Sequence, residues 1–281
     1  MKILKSIEDV KNFVKPLKKA DTIIGFVPTM GALHEGHLEL GKNANQNCDI
    51  LIYSIFVNPI QFGPNEDLDK YPRDLEGDIK KLETIGVDAI FFPSVEIMYP
   101  QGFLTEVYVK EMSKVLCGAT RSNHFAGVTT VVTKLFNIVE ADKAFFGKKD
   151  YQQFTILKKM VKDLNMNIEL FGVDTVRESD GLAKSSRNMY LNEKERKSAV
   201  LLSKALFYVR DHVSEFSNSS HMLEVAKSII ESDGSFKIEY LDLRECETLK
   251  EISDFKPRMV LLVAARIGTT RLIDNIEIEM D

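Results

Sequence analysis

Between residues 22 and 176 the chain repeatedly sets a short apolar run ahead of an amphipathic stretch, and this alternation limits its possible folds more than any other feature. The runs are TIIGFV at 22–27, DILIYSIFV at 49–57, DAIFF at 88–92, KAFF at 143–146 and IELFGVDTV at 168–176. None alternates cleanly between apolar and polar residues, so each must be covered on both faces, a condition met by a parallel sheet with helices on each side. Helical periodicity at 75–85, 128–140 and 151–164 supplies that cover. The expectation is a doubly wound α/β domain over residues 1–176. Beyond the Ser-, Gly- and charge-rich junction RESDGLAKSSRN the texture changes to helices at 193–216 and 221–231 and the strands FKIEYLDLRE, MVLLVAARI and RLIDNIEIE. That order predicts a smaller α+β domain over 177–281, with the junction loop placed where a mobile lid segment would sit.

Charge and cysteine usage narrow the function classes. Lys and Arg total 37 against 42 Asp and Glu, interspersed along the chain, which leaves no electrostatic footprint for nucleic acid. The three cysteines, Cys48, Cys117 and Cys246, are odd in number and far apart, so neither a disulfide framework nor a cysteine zinc site is expected. No apolar run approaches the roughly 20 residues of a membrane helix, and the charged N-terminal stretch MKILKSIEDVKNFVKPLKKA does not read as an export signal. A cytoplasmic protein is expected.

The stretch VPTMGALHEGH at 27–37 holds two of the chain's five histidines in a glycine-punctuated turn directly after the first apolar run. A strand ending near Val27 and a helix beginning near Glu35 place this turn at the carboxyl edge of the sheet, where open α/β folds bind ligands. Three readings stand side by side. Zinc is disfavoured because the two histidines are three apart, not four as in HExxH, and no third ligand is suitably spaced. Packed or capping histidines are the ordinary role of the residue. The third reading is phosphate handling, in which imidazole N–H donors at a helix start meet phosphoryl oxygens.

HxGH at this position resembles the signature of the nucleotidyltransferase superfamily, whose partner is a Lys- and Ser-rich loop downstream; AKSSRN at 183–188 fits that place. The resemblance narrows further. PTMGALHEGH, FVNPIQFGPNEDLDKYPR, HFAGVTTVVTKLFNIVEADKAFFGKKDYQQ, SSRNMYL and AARIGTTRLIDN together, in order and across the whole chain, resemble the pantothenate synthetase family. The resemblance implies a Rossmann-like nucleotide-binding domain and an AMP-forming ligase that joins pantoate to β-alanine through a pantoyl adenylate. It further implies ATP with Mg2+ and a homodimer formed through the N-terminal domain.

Residue roles follow from the same resemblance. His34 and His37, with the Met30 backbone, hold ATP phosphates; Gly147, Lys149 and Asp150 contact the nucleotide, and Val176 lies beside it. Lys184, Ser185, Ser186 and Arg187 donate to the triphosphate, while Gln61 and Gln153 bind pantoate. The residues' own chemistry leaves plainer alternatives open: solvent-facing glutamines, and a solvated helix start at 148–150 with an acidic cap. Asp78 falls in the family's magnesium-associated acidic segment, though an ordinary helix-surface carboxylate would look the same. Arg121 and His124 are expected on a loop bordering the site. There the chain departs from the family's Arg-Pro-Gly-His by carrying Ser122 and Asn123, and Lys148 stands where the family often has Glu. The rivals are another HxGH adenylyl- or cytidylyltransferase, an aminoacyl-tRNA synthetase, and a catalytically silent nucleotide binder.

Overall fold

The computed structural model describes residues 1–64 and 66–280. In chain order it contains β1 (Lys2–Leu4), α1 (Ile7–Lys19), β2 (Ile24–Thr29), α2 (Glu35–Asn45), β3 (Ile50–Ile55), α3 (Leu75–Glu83), β4 (Ala89–Phe91), α4 (Val95–Met98), α5 (Cys117–Thr120), α6 (His124–Val139) and β5 (Lys143–Gly147). There follow α7 (Tyr151–Asp163), β6 (Glu169–Val173), α8 (Glu193–Asp211), α9 (Ser219–Ile230), β7 (Phe236–Glu245), β8 (Arg258–Ile267) and β9 (Thr270–Glu279). Short 3-10 turns lie at Pro59–Gln61, Lys148–Asp150 and Ser186–Tyr190. The chain divides into two compact units. The first comprises Met1–Lys114, Gly118–Lys148 and Ile156–Asp174. The second takes Val115–Cys117, Lys149–Thr155 and the chain from Thr175 onward, so it gathers two segments that precede residue 177 in sequence.

The first unit is built on a six-stranded sheet of order β1-β4-β3-β2-β5-β6 in which every pairing is parallel. The chain winds outward from β2 to β3 and β4, then returns to the other side of β2 with β5 and β6. The strand order therefore reverses between β2 and β5, and the loops leaving these two strands flank the crevice that forms at such a switch point. Val27, Tyr53, Ile90 and Phe145 are fully buried in the core on one face, where Leu40 and Ala44 of α2 and Leu82 of α3 pack. The runs at 22–27, 49–57, 88–92 and 143–146 thus became mostly buried strands as inferred, whereas β6, at the sheet edge, is buried only at Val173, with Glu169 exposed.

Three departures from the expected boundaries have physical causes. β2 continues to Thr29, because its ladder with β3 runs to the Thr29–Ile55 pair and Thr29 Oγ1 donates to the Ser54 carbonyl at 2.8 Å. α6 begins at His124, four residues earlier than periodicity suggested, so His124 lies on a helix and not on a loop. Gly127 looks like a breaker, yet it is buried within this helix for a packing reason given below. β1 and α1 were not expected as elements. Ser6 and Asp9 cap α1 reciprocally, whereas Pro16 inside it obscures the helical signal.

The second unit is a three-stranded antiparallel sheet of order β7-β8-β9 with α8 and α9 on one face. Ala205, Leu206 and Val209 of α8 and Met222 and Ala226 of α9 are fully buried against Met259, Leu261 and Val263 of β8. Leu206→Ala removes a wholly buried side chain and is expected to destabilise the second unit by about 2–5 kcal/mol, read by calorimetry; an unchanged transition would mean that α8 does not carry this core.

Candidate active site

The turn after β2 is held in an uncommon backbone state. Gly31 has φ +81° and Ala32 φ +52°. Two successive left-handed residues turn their N–H groups toward one side, and a non-glycine residue in this region is strained. The carboxylate of Asp78, 1 % exposed and reaching in from α3, meets the second and third N–H of the turn: Ala32 N–H donates at 2.9 Å and Leu33 N–H at 2.7 Å. Lys81 donates to the Leu33 carbonyl at 2.7 Å and stands 3.9 Å from Asp78. Burial pushes the Asp78 carboxyl above the usual carboxylate range, against the opposing pull of these amides and of Lys81. The helix-surface alternative for Asp78 is therefore corrected: the carboxylate is inside, and each of its oxygens accepts from the backbone.

This turn delivers His34 to the N-cap position of α2. His34 Nδ1 accepts from Gly36 N–H at 3.1 Å, and His37 Nδ1 accepts from His34 N–H at 3.2 Å. The rings lie 4.1 Å apart between centroids. An imidazole whose Nδ1 accepts must carry its neutral-form proton on Nε2, so the backbone sets the tautomer of both rings. The cap thus uses Nδ1 and leaves Nε2 as the protonated nitrogen of each neutral ring. A groove of about 330 Å³ lined by Leu33, His34, Glu35, Leu38 and Lys81 opens beside His34.

Gln61 ends the 3-10 turn that follows β3 and is 9 % exposed, which corrects the solvent-facing alternative. Its amide is oriented by a chain of hydrogen bonds. Tyr99 Oη donates to Asn58 Oδ1 at 2.7 Å, Asn58 Nδ2 donates to Gln61 Oε1 at 2.9 Å, and Gln61 Nε2 donates to Met30 Sδ at 3.1 Å. Gln61 therefore presents its N–H side toward Met30. The backbone around it is fixed from α6: Asn58 Nδ2 also donates to the Gly127 carbonyl, and a Cβ at Gly127 would lie 2.7 Å from Gln61 Cα. Only glycine permits that approach. His124 Nδ1 lies 2.9 Å from the Gln61 carbonyl and Nε2 lies 3.0 Å from Arg121, whose Nε donates to Glu66 at 2.7 Å. Although burial raises the Glu66 carboxyl, Arg121 holds it below the usual carboxylate range. At the Ser122–Asn123 departure, Asn123 caps α6 without a side-chain hydrogen bond. Sequence reasoning missed Asn58, Glu66 and Tyr99; the detectable signal was Asn58, a polar residue at the end of an apolar strand that is 1 % exposed.

The other expected residues form local arrangements after β5 and in the second unit. A Cβ at Gly147 would meet nothing within 4 Å, so the backbone there is open to approach. Lys148 pairs with Asp174 at 2.9 Å, which offsets the charge introduced by that departure. Within the second unit, the Lys149 carbonyl accepts from Asn275 at 2.9 Å, and Asp150 is exposed. The two glutamines of DYQQ separate by helix phase. Gln152 is 4 % exposed and bonded to the Cys117 N–H and the Val115 carbonyl, while Gln153 is partly exposed. Val176 and Lys184 close a small hairpin, Lys184 N–H donating to the Val176 carbonyl at 2.9 Å. The hairpin leads into Ser185, whose Oγ accepts from Arg187 N–H at 3.2 Å, and Asn188 ties the loop back to the Ala183 carbonyl at 3.0 Å. Lys184 also lies 3.4 Å from Glu178.

These groups are chiefly donors: imidazole and amide N–H, hydroxyls and cations. They suit a phosphate chain better than a bare cation, and among the described residues no group of three or more His, Cys, Asp or Glu could hold a metal ion.

A doubly wound sheet with two tautomer-fixed histidines at the start of α2, directly after β2, is the framework of a nucleotide-handling α/β enzyme. Comparison with known proteins specifies the kind. Residues 2–277 match the family described as pantoate-beta-alanine ligase. The chain is 49% identical over 283 residues to the pantothenate synthetase of Acetivibrio thermocellus, covering 100% of both chains. The crystal structure of pantothenate synthetase from Thermus thermophilus is 41% identical, with a TM-score of 0.93 and full coverage of both. The pantoate-beta-alanine ligase of Francisella tularensis, solved with beta-gamma ATP and beta-alanine, is 36% identical with a TM-score of 0.80, covering 98% of this chain and 97% of that one. The chain belongs to the pantoate-beta-alanine ligase family, and it is an enzyme.

The Asp78 contacts carry a test. Asp78→Asn keeps one acceptor oxygen but sets an NH2 group against a backbone N–H, so stability should fall by about 1–3 kcal/mol and activity should fall with it. Denaturant unfolding and steady-state assays check this; a variant equal to wild type in both would show that Asp78 does not hold the turn.

Proposed function

We propose that the protein joins pantoate to β-alanine in two steps. A pantoate carboxylate oxygen attacks the α-phosphorus of ATP, releasing pyrophosphate and forming pantoyl adenylate. The β-alanine amine then attacks the acyl carbon, AMP departs with the electron pair of the acyl–oxygen bond, and the amine proton passes to solvent. The carrying observation is the tautomer of His34 and His37: both accept at Nδ1 from the backbone, so in the neutral form both carry the proton on Nε2, which makes each a donor at a helix start. Such preorganised donors favour a phosphorus centre on which charge accumulates.

In this reading, the Met30 backbone and the two histidines hold ATP phosphates. Gly147 allows the nucleotide to approach, Asp150 accepts from its ribose, and Val176 lies beside it. Lys149, Lys184, Ser185, Ser186 and Arg187 donate to triphosphate oxygens. Gln61, presenting an N–H, and Gln153 bind the hydroxyls and carboxylate of pantoate. Arg121 and His124 border the site by fixing the Gln61 segment. When bound with ATP, Mg2+ neutralises phosphate charge; Asp78 serves by shaping the turn, its oxygens engaged with Ala32 and Leu33.

The reaction is tested by labelled pyrophosphate exchange into ATP, which should require pantoate but not β-alanine, and by AMP and pantothenate formation only when both substrates are present. Exchange without pantoate, or no turnover at all, would sink the reading. His37→Ala should lower the exchange rate by about 100-fold or more.

A cytoplasmic location accords with three free thiols, and among the described residues no helix is long and apolar enough to cross a membrane. A homodimer is supported by the stretch around residues 103–109, which belongs to no ladder among the described residues. Thr130 and the Val107 N–H fix this stretch on one side, while Leu104 is 94% exposed and Tyr108 40%. Sedimentation should give a dimer for wild type and a shift toward monomer for Leu104→Asp; a monomeric wild type would remove the dimer from this account.

A further inference from the structure

The second unit contains a buried polar cluster to which the reaction above assigns nothing. Arg177, at the start of the 176–184 hairpin, is met by Asp274 of β9 in a two-pronged pair, at 2.7 Å from Nη1 and 2.9 Å from Nη2. Asp274 is 3 % exposed. Arg177 Nη1 also donates to the Gly181 carbonyl at the hairpin tip at 3.0 Å, Nη2 donates to the Asn275 carbonyl at 3.4 Å, and the guanidinium lies 4.8 Å from the Phe207 ring centroid. Next to Asp274, Asn275 is 7 % exposed, and its Nδ2 donates to the Lys149 carbonyl at 2.9 Å. Both residues sit mid-strand in the β8–β9 ladder, opposite Val263 and Leu262.

A buried ion pair is a weak source of stability, since an apolar replacement of similar volume is often as stable. What apolar residues cannot do is fix the direction of two loops at once. Here one strand grips the base of the serine loop through Arg177 and the Lys149 turn through Asn275. The hairpin continues into Ser185 and Ser186 without a break, Arg177 forming a bridge with Ala183. Tyr151, two residues beyond Lys149, is tied to the same strand through Glu277 at 3.1 Å.

We propose that Arg177, Asp274 and Asn275 form a positioning node, which sets the Lys149 turn and the Ser185–Arg187 loop in one fixed register for ATP phosphates. None of the three touches substrate in this account; each acts through another residue. The proposal rests on the phosphate-binding role given above to Lys149.

The test is a double-mutant cycle on pantoate-dependent pyrophosphate exchange, with melting temperatures measured alongside. Asn275→Ala removes the donor to the Lys149 carbonyl and should lower the exchange rate about 10- to 100-fold, with the KM for β-alanine unchanged. In a Lys149→Ala background the same substitution should cost less than about twofold, because the side chain it positions is gone. Asp274→Asn, which weakens the grip on the hairpin, should raise the KM for ATP; should that variant not fold, the Asn275 cycle decides alone. Equal losses in both backgrounds, matching a fall in melting temperature, would make the node merely structural and overturn the proposal, as would an Asn275→Ala rate within twofold of wild type. A full-rate Lys149→Ala would instead overturn the reading of Lys149 itself, and the node with it.

Discussion

The first unit depends on a carboxylate buried beneath a left-handed turn. Gly31 and Ala32 adopt positive φ, and such a pair persists only where its surroundings over-determine it. Asp78 supplies that constraint with two short hydrogen bonds to consecutive N–H groups. The turn in turn sends Leu33 into the core and leaves His34 with extended backbone at the head of α2. Without it the two rings would have no reason to share one helix start, and their tautomers would be set by solvent instead of by the backbone.

The Gln61 region is organised differently, by a polar network in which each member satisfies the next. Tyr99, Asn58, Gln61 and Met30 form one line, while Arg121 and His124 hold the Gln61 backbone from the side of α6. Inside a protein such networks polarise their members and rigidify them when every polar group is paired. Gly127 is the steric condition for the network, since α6 could not otherwise lie against the 3-10 turn.

What the sequence disclosed and what it concealed divide along chain separation. HEGH, GKKDYQQ and KSSRN were legible because each is contiguous, and the strands were legible because burial on both faces leaves an unbroken apolar run. The Asp78 contacts span 46 and 45 residues, and the Arg177–Asp274 pair spans 97, so neither leaves any local pattern. Gln152 and Gln153 illustrate the same limit at short range: adjacent letters, one buried and one partly exposed, separated only by the phase of a helix. His124 was placed on a loop by the family resemblance, whereas it opens α6, where Gly127 answers a packing demand from Gln61.

The contact between Gln61 Nε2 and Met30 Sδ has a consequence of its own. A thioether is a poor acceptor, so this N–H is occupied but not strongly committed. Exchanging sulfur for a hydroxyl or carboxylate oxygen replaces a weak partner with a strong one, and the amide is spared the desolvation that a water-bound donor would face on the same exchange. Sulfur here keeps a buried donor from going unpaired while committing little of that donor's bonding capacity.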